Sequence, residues 1–242
     1  MQFRTFKDKN LIQGVSDVSF GSMAGPEKGE KAIKFLKSLG YKIRAKNIVW
    51  AEQVFGSKVH VCNKNDGGKI IKNVDGLLTN NPGQILAIVS ADCLPILLFD
   101  PKREVVAALH GSRESLCQGI IKNALAKMVF SFHCNPKEIL VGLGPHIRKC
   151  HYWLREKTYQ NLRKTKFKRY FIIRENRTYF DLTKLAFEDL LSSGIKRKNV
   201  EDCGLCTFCQ AEKYFSARKE EVNPKFYREK HSRFASFIGL DK

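Results

Sequence analysis

The sequence predicts an α/β protein: a single domain, residues 1–242, with a mixed β-sheet flanked by helices in a layered arrangement. Strands and helices alternate only in part, which favours a mixed sheet over a fully parallel one. The chain is long enough to bury a sizeable core and contains no repeat or linker that divides it. Short apolar runs bounded by turn residues predict buried strands at 85–89, 94–99 and 105–109. Apolar residues at helical spacing predict helices at 27–39 and 114–132.

The remaining elements follow the same signals along the chain. Residues 1–25 are predicted to form one or two edge strands and a turn. Gly40 marks the end of the first helix, and Asp181 is the expected N-cap of a later one. Further strands are predicted at 48–55, 58–61, 139–143, 170–173 and 200–205, and further helices at 156–163 and 182–191.

The composition favours anionic partners but no nucleic-acid module. Lys and Arg outnumber Asp and Glu by 43 to 24, a net charge of +19, so phosphate, nucleotides and RNA all qualify. The basic residues are dispersed, and specific nucleic-acid binding is therefore not expected. No apolar stretch approaches 18 residues, so no membrane span is expected. The N-terminus lacks the apolar core of a signal peptide, so a cytoplasmic protein is expected. The eight cysteines are expected to be reduced thiols or metal ligands and not a disulfide framework.

The strongest candidates for chemistry are Cys93 and His110. Cys93 lies between two apolar runs, and His110 ends a third. A thiol and an imidazole at neighbouring strand ends can meet in one pocket as a nucleophile pair or as two metal ligands. Both residue types also occur as ordinary core residues. The spacing alone leaves these interpretations open.

The text around this pair resembles the signature of a known family. ADCLPILLFDP at 91–101, followed by an apolar strand ending in His110, is similar to the laccase-domain family. Its members are also called multicopper polyphenol oxidase-like proteins or YfiH-type purine nucleoside phosphorylases. Further matches follow in order, so the resemblance covers nearly the whole chain and implies the same layered fold. They lie at 53–56, 75–77, 144–147, 206–209, 214–218 and 232–233.

The resemblance implies a metal-assisted enzyme. Family members are thought to hold zinc, or copper, with two histidines and one cysteine, leaving an open position where a bound water has a pKa near 7. The implied reaction is phosphorolysis of adenosine, inosine or methylthioadenosine, with adenosine deamination as a side activity. Purine nucleoside and phosphate are then the partners of a monomer or homodimer. Cys93 and His110 match two of the metal ligands, with Asp92 as a neighbouring residue that orients the site.

Three departures surround this pocket. Phe55 stands where the family has its first histidine, and Phe cannot bind a metal. His60 is the candidate replacement if its strand folds back toward the pocket. Val18 stands where the family has an arginine near the start of the chain. The family segment His-Ala-Gly-Trp-Arg-Gly is shortened to His110-Gly-Ser-Arg113, where Arg113 remains a candidate phosphate contact. These changes argue against metal binding and also against the family's usual phosphorylase activity.

Other candidates lie further along the chain. Ser216 and Arg218, in the Tyr-Phe-Ser-Ala-Arg segment, are expected to line the pocket, and His146 follows a strand toward the same cleft. Cys203, Cys206 and Cys209 form a CxxCxxC run that lacks a fourth metal ligand at motif spacing.

Three hypotheses follow. The first is a purine nucleoside phosphorylase with adenosine deaminase side activity. The second is a metal-free hydrolase that uses Cys93 and His110, and the third is a non-catalytic family member that binds a nucleotide or a protein. Bound zinc separates the first from the second, and a reactive Cys93 separates the second from the third.

Overall fold

A computed structural model describes residues 1–241, over which it has thirteen strands and six α-helices. The strands are β1 Leu11–Val15, β2 Ile48–Ala51, β3 Val59–Val61, β4 Ile70–Ile71, β5 Gly76–Thr79, β6 Ile85–Ser90, β7 Leu94–Asp100, β8 Val105–Gly111, β9 Leu140–Leu143, β10 Phe171–Arg174, β11 Arg177–Phe180, β12 Val200–Asp202 and β13 Phe234–Leu240. The helices are α1 Lys28–Ser38, α2 Arg113–Cys117, α3 Ile120–Phe132, α4 Glu156–Leu162, α5 Leu182–Ser192 and α6 Ala217–Val222.

Two mixed sheets pack face to face. One has the strand order β1-β13-β6-β2-β4 and the other β12-β9-β7-β8-β5-β3, while β10 and β11 form a separate hairpin. Leu86 of β6 and Leu97 of β7 belong to the core between the sheets. Ile85 instead faces α1 on one outer side, and Ile96 faces α3 and α5 on the other. Because successive strand residues point to opposite faces, these contacts define a layered α/β/β/α stack.

The α/β class with mixed pairing is confirmed, but the predicted single sheet is two. The strands β6 and β7 are consecutive and apolar except for their last residues, Ser90 and Asp100, yet they lie in different sheets. Each is covered on both faces, which is why neither shows polar alternation. Residues 91–93 carry the chain from one sheet to the other, and Cys93 sits on this crossover.

Several boundaries differ from the predicted ones. The strand predicted at 48–55 ends at Ala51, since the next residues leave the sheet. The helix predicted at 114–132 is two helices, because Gly119 between them adopts a φ of 82°. The strands β4, β5, β11 and β13 and the short helix α6 were not predicted. Among residues 1–241, no helix has the length and apolar character needed to cross a membrane.

The sheet register brings three strand ends together. In the six-stranded sheet, β8 pairs antiparallel with β7 and with β5, so His110 lies opposite Pro95 and Leu109 opposite Gly76. A Cβ added at Gly76 would lie 2.8 Å from the Leu109 and Val59 side chains, so only glycine permits this close approach. Asp75 therefore sits directly beside His110.

Candidate functional site

The structure brings Cys93 and His110 together and adds Asp75 to them. His110 Nδ1 lies 2.7 Å from Asp75 Oδ1. Cys93 lies close enough to the same imidazole to raise its pKa, so the ring is placed between a thiol and a carboxylate. The His110 and Asp75 side chains are almost fully buried, at 4% and 0% exposure, while Cys93 is partly exposed. This order of groups matches that of a cysteine–histidine–aspartate array.

Asp75 is fixed by the backbone of the segment that follows β2. Its carboxylate accepts hydrogen bonds from the N–H groups of Val54 at 3.0 Å, Phe55 at 3.0 Å and Gly56 at 2.7 Å. Burial works to raise the pKa of Asp75, but His110 and these donors outweigh it and hold the pKa below its usual range. Asp75 lies in one of the family motifs, but no role for it is predicted from the sequence. Its three N–H donors lie about twenty residues earlier in the chain, so no local pattern indicates them.

His110 is protonated at neutral pH. Burial alone works to lower its pKa, but the negative charges of Cys93 and Asp75 and their hydrogen bonds raise it to about 9. The cavity therefore presents an imidazolium whose charge is balanced by two acidic neighbours. Such a group is a proton donor poised beside any ligand that enters.

The family's metal does not fit this pair. Phe55 directs its ring edge-on to the His110 ring, with centroids 5.4 Å apart, and it supplies no ligand atom. Among residues 1–241, neither Cys93 nor His110 belongs to any group of three clustered metal-ligand side chains. Zinc sites of the catalytic kind need three protein ligands, and two remain here.

His60 does not replace the missing histidine. It lies on β3, and its Nε2 pairs with Asp66 Oδ2 at 2.9 Å. It does not line the cavity that contains Cys93 and His110. The expectation of a third ligand from His60 is therefore corrected: Asp66 holds its imidazole outside that cavity.

Asp92 orients the crossover that carries Cys93. It has a φ of 86°, and its carboxylate accepts from Thr207 Oγ1 at 2.6 Å and from the Arg218 N–H at 2.7 Å. Burial raises the pKa of Asp92 against the opposing effect of these donors. Ser216 is 1% exposed, and its hydroxyl accepts from the Lys219 N–H as the N-cap of α6. The expectation that Ser216 lines the pocket is thus wrong, because its hydroxyl is used beneath the surface.

Arg113 and Arg218 line the same cavity as Cys93 and His110. This cavity has a volume of about 940 Å³, within the range typical of small-molecule sites. Arg113 donates to the Tyr152 hydroxyl at 2.9 Å and also pairs with Glu114. The Arg218 guanidinium stacks 4.0 Å from the Trp153 ring and bonds its carbonyl oxygen at 3.0 Å. No role for Tyr152 or Trp153 is predicted from the sequence, because their loop shows neither helical nor strand periodicity.

His146 does not face the cleft. It is fully buried, with Nδ1 2.8 Å from the Gly144 carbonyl and Nε2 2.8 Å from Thr183 Oγ1. Burial lowers its pKa to about 4, so it is neutral and ties the loop after β9 to α5. The expected contact of His146 with substrate is therefore wrong, because both ring nitrogens already have partners inside the protein.

Several known proteins are similar to this chain in sequence. Purine nucleoside phosphorylase RP494 of Rickettsia prowazekii is 28% identical over 200 residues, covering 81% of this chain and 80% of that protein. Purine nucleoside phosphorylase YfiH of Escherichia coli is 29% identical over 194 residues, covering 79% and 73%. Other relatives are longer: the matched part is 57% of a Bacteroides thetaiotaomicron purine nucleoside phosphorylase and 37% of mouse LACC1.

Solved structures show the same fold. The crystal structure of the Bacillus licheniformis protein YfiH superposes with a TM-score of 0.82 at 24% identity, covering 96% of this chain and 93% of that one. YlmD from Geobacillus stearothermophilus gives 0.82 at 22% identity, covering 99% and 94%. The sequence profile described as multi-copper polyphenol oxidoreductase laccase matches residues 17–241. The chain belongs to this laccase-like family, as its motifs predicted.

Proposed function

We propose that the chain is a purine nucleoside phosphorylase that cleaves the N-glycosidic bond without the family's metal. The observation that carries the proposal is the His110 imidazolium, held between Cys93 and Asp75 in a cavity with cationic walls. Phosphorolysis needs a cationic contact for phosphate and a proton for the leaving base. Neither requires a metal ion, so the loss of a ligand at Phe55 does not by itself abolish this reaction.

Each residue then has a defined task. A phosphate oxygen attacks C1′ of the ribose while the bond from C1′ to N9 breaks, and the bonding electrons pass to the purine. His110 donates its proton to N7 of the departing base and is later reprotonated from solvent. Arg113, at the start of α2 beside His110, holds the phosphate. Cys93, on the other side of the imidazole from Asp75, raises the pKa of His110 and so favours its protonated form.

Adenosine deamination is not part of this proposal. That reaction needs a water activated for attack at C6, which zinc deaminases supply with a metal-bound hydroxide. Here the ligand set is incomplete because position 55 is Phe and His60 is held by Asp66. The geometry thus supports phosphorolysis and gives no means of activating water through a metal at this pair.

The test measures phosphate-dependent release of free base and ribose 1-phosphate from adenosine and inosine, by chromatography. The purified full chain is assayed with and without added zinc or copper, with its metal content measured in parallel. We expect turnover that requires phosphate, does not increase when either metal is added, and is lost in His110→Gln. Cys117→Ala is the thiol control, since Cys117 is partly buried at the end of α2, outside the cavity. No phosphate-dependent release by folded wild-type protein would overturn the proposal.

A second candidate is a hydrolase that uses Cys93 as nucleophile. It is favoured by the order Cys93, His110, Asp75, which is that of thiol hydrolases. In that case substrate turns over without phosphate, and a covalent adduct on Cys93 is detectable by mass spectrometry. A protein that binds nucleosides in calorimetry but shows neither turnover nor adduct would correspond to the non-catalytic hypothesis.

A further inference from the structure

A second cysteine–histidine cluster lies on two loops outside the candidate catalytic pair. Cys150 and His151 follow β9, whereas Cys206 and Cys209 lie between β12 and α6. The Sγ atoms of Cys150 and Cys209 are 3.9 Å apart, and Cys209 Sγ is 3.3 Å from His151 Nδ1. The four potential ligand atoms all lie within 4.8 Å of one another. Cys150 and His151 are thus the partners that the CxxCxxC run lacked in sequence.

These separations match a tetrahedral metal ion. With Zn–S of about 2.3 Å and Zn–N of about 2.05 Å, tetrahedral angles place two sulfurs ~3.8 Å apart and a sulfur and a nitrogen ~3.5 Å apart. The observed values of 3.9 Å and 3.3 Å lie close to both. A disulfide between Cys150 and Cys209 would instead need a separation of about 2.05 Å. The spacing favours coordination over a covalent bond.

The loops hold this geometry through their own contacts. The Thr207 N–H donates to the His146 carbonyl at 3.1 Å, and the His151 N–H donates to the Arg148 carbonyl at 2.9 Å. The His151 ring stacks on Phe208 at 4.3 Å between centroids, which directs Nδ1 toward Cys209. Lys219 lies 5.1 Å over the same Phe208 ring. Its positive charge complements the net −1 of three thiolates and one Zn²⁺.

We propose that Cys150, His151, Cys206 and Cys209 bind one Zn²⁺ in a closed structural site. Four protein ligands leave no open position, and three thiolates with one imidazole are the donors that zinc prefers. Cys203, the first cysteine of the CxxCxxC run, is excluded because it packs against the core between the sheets. The site is separate from Cys93 and His110, which share no ligand with it.

This zinc would fix one wall of the cavity. His151 is followed directly by Tyr152 and Trp153, which line the cavity. Thr207, between the two cysteines of the other loop, donates to Asp92 beside Cys93. Clamping the two loops with a metal therefore holds the aromatic wall and the crossover in register. The role is structural, and it does not depend on which reaction the cavity supports.

The test begins with zinc analysis of the full-length protein, purified under reducing conditions. After exchange with Co²⁺, tetrahedral thiolate ligation is read from the intense charge-transfer and d–d absorption bands. We expect one zinc per chain, lost in Cys150→Ala and in Cys209→Ala. Cys203→Ala is the matched control from the same run, and Cys93→Ala is the control from the candidate catalytic pair. Both should retain the metal and the cobalt spectrum.

Thiol mapping provides a readout that needs no variant. In the wild-type protein, Cys150, Cys206 and Cys209 should resist alkylation until a chelator is added, as measured by peptide mass spectrometry. Four outcomes would overturn the proposal. They are reduced wild-type protein without zinc, a disulfide joining Cys150 to Cys209, zinc retained in both ligand variants, and loss of zinc in Cys93→Ala. The last outcome would place the metal at Cys93 and His110 instead.

Discussion

Replacing Asp75 by Asn tests the charge network on which the candidate site depends. Asp75 Oδ1 accepts from His110 and Phe55, and Oδ2 accepts from Val54 and Gly56. Asn has one acceptor oxygen, so its amide NH₂ must face donors on one side. At least two donors then lose their partner, at about 1 kcal/mol each.

The lost charge adds to this cost. The pKa of His110 is raised from 6.5 to about 9, a preference for the charged form of about 3 kcal/mol shared between Cys93 and Asp75. Asp75 contributes to this preference through its hydrogen bond and its charge. We therefore expect Asp75→Asn to lower the free energy of unfolding by more than about 2 kcal/mol at pH 6, and to lower the pKa of His110.

The pH dependence has a definite sign. Because the folded pKa of His110 lies above its unfolded value, its charged form stabilises the fold fully below about pH 6.5 and loses that effect as pH rises through about 9. The difference in free energy of unfolding between wild type and Asp75→Asn should narrow to about 2 kcal/mol by pH 10. Urea denaturation at several pH values measures this difference, and NMR titration of the His110 ring measures its pKa.

The matched control is Asp66→Asn. Asp66 also pairs with a histidine, but the His60 side chain is 32% exposed to solvent. Since exposed pairs contribute little, we expect a loss of about 1 kcal/mol or less. If Asp75→Asn were no more destabilising than Asp66→Asn, or if the pKa of His110 were unchanged, the proposed network would be refuted.

Three further predictions concern neighbouring positions. Phe55→His should add a third ligand to Cys93 and His110, so that this site binds one zinc per chain. The variant is made in a Cys209→Ala background, which removes the other proposed zinc site; an unchanged metal content would contradict the prediction. Arg113→Gln should raise the KM for phosphate about tenfold with little change in the melting temperature, and an unaltered KM would remove Arg113 from the phosphate site. Burial lowers the pKa of His146 to about 4, so its neutral form stabilises the fold above about pH 6.5 and this stabilisation is lost as pH falls toward 4. Between pH 6.5 and 4, the free energy of unfolding of wild type should therefore fall by about 3 kcal/mol more than that of His146→Gln. Urea denaturation at several pH values measures this, and equal pH dependence in the two proteins would contradict it.

Periodicity and motifs identified the fold class, the Cys93–His110 pair and the family, but not the division into two sheets. The apolar runs of β6, β7 and β8 were predicted correctly because strands buried on both faces leave a continuous apolar pattern. That pattern does not indicate which sheet a strand joins, so the second sheet was missed. The family was recognised from the order of its motifs, which the profile match confirms.

Polar side chains were harder to place than apolar ones. His146 and Ser216 lie in family motifs, yet both are used as internal hydrogen-bond partners. Cys150 and Cys206 are separated by more than fifty residues, and only the folded loops bring them together. Burial can be read from local periodicity, whereas the partner of a polar group depends on long-range register.

The structure explains how Phe55 coexists with an intact Cys93–His110 pair. At this position the backbone and the side chain have different tasks. The Phe55 N–H donates to Asp75, and it does so with a φ of 60°, a conformation that a bulky side chain adopts rarely. Replacing a histidine side chain by Phe removes a metal ligand but leaves this donor in place. Asp75 therefore stays anchored beside His110, and the pair keeps the geometry that the proposed acid chemistry at His110 requires.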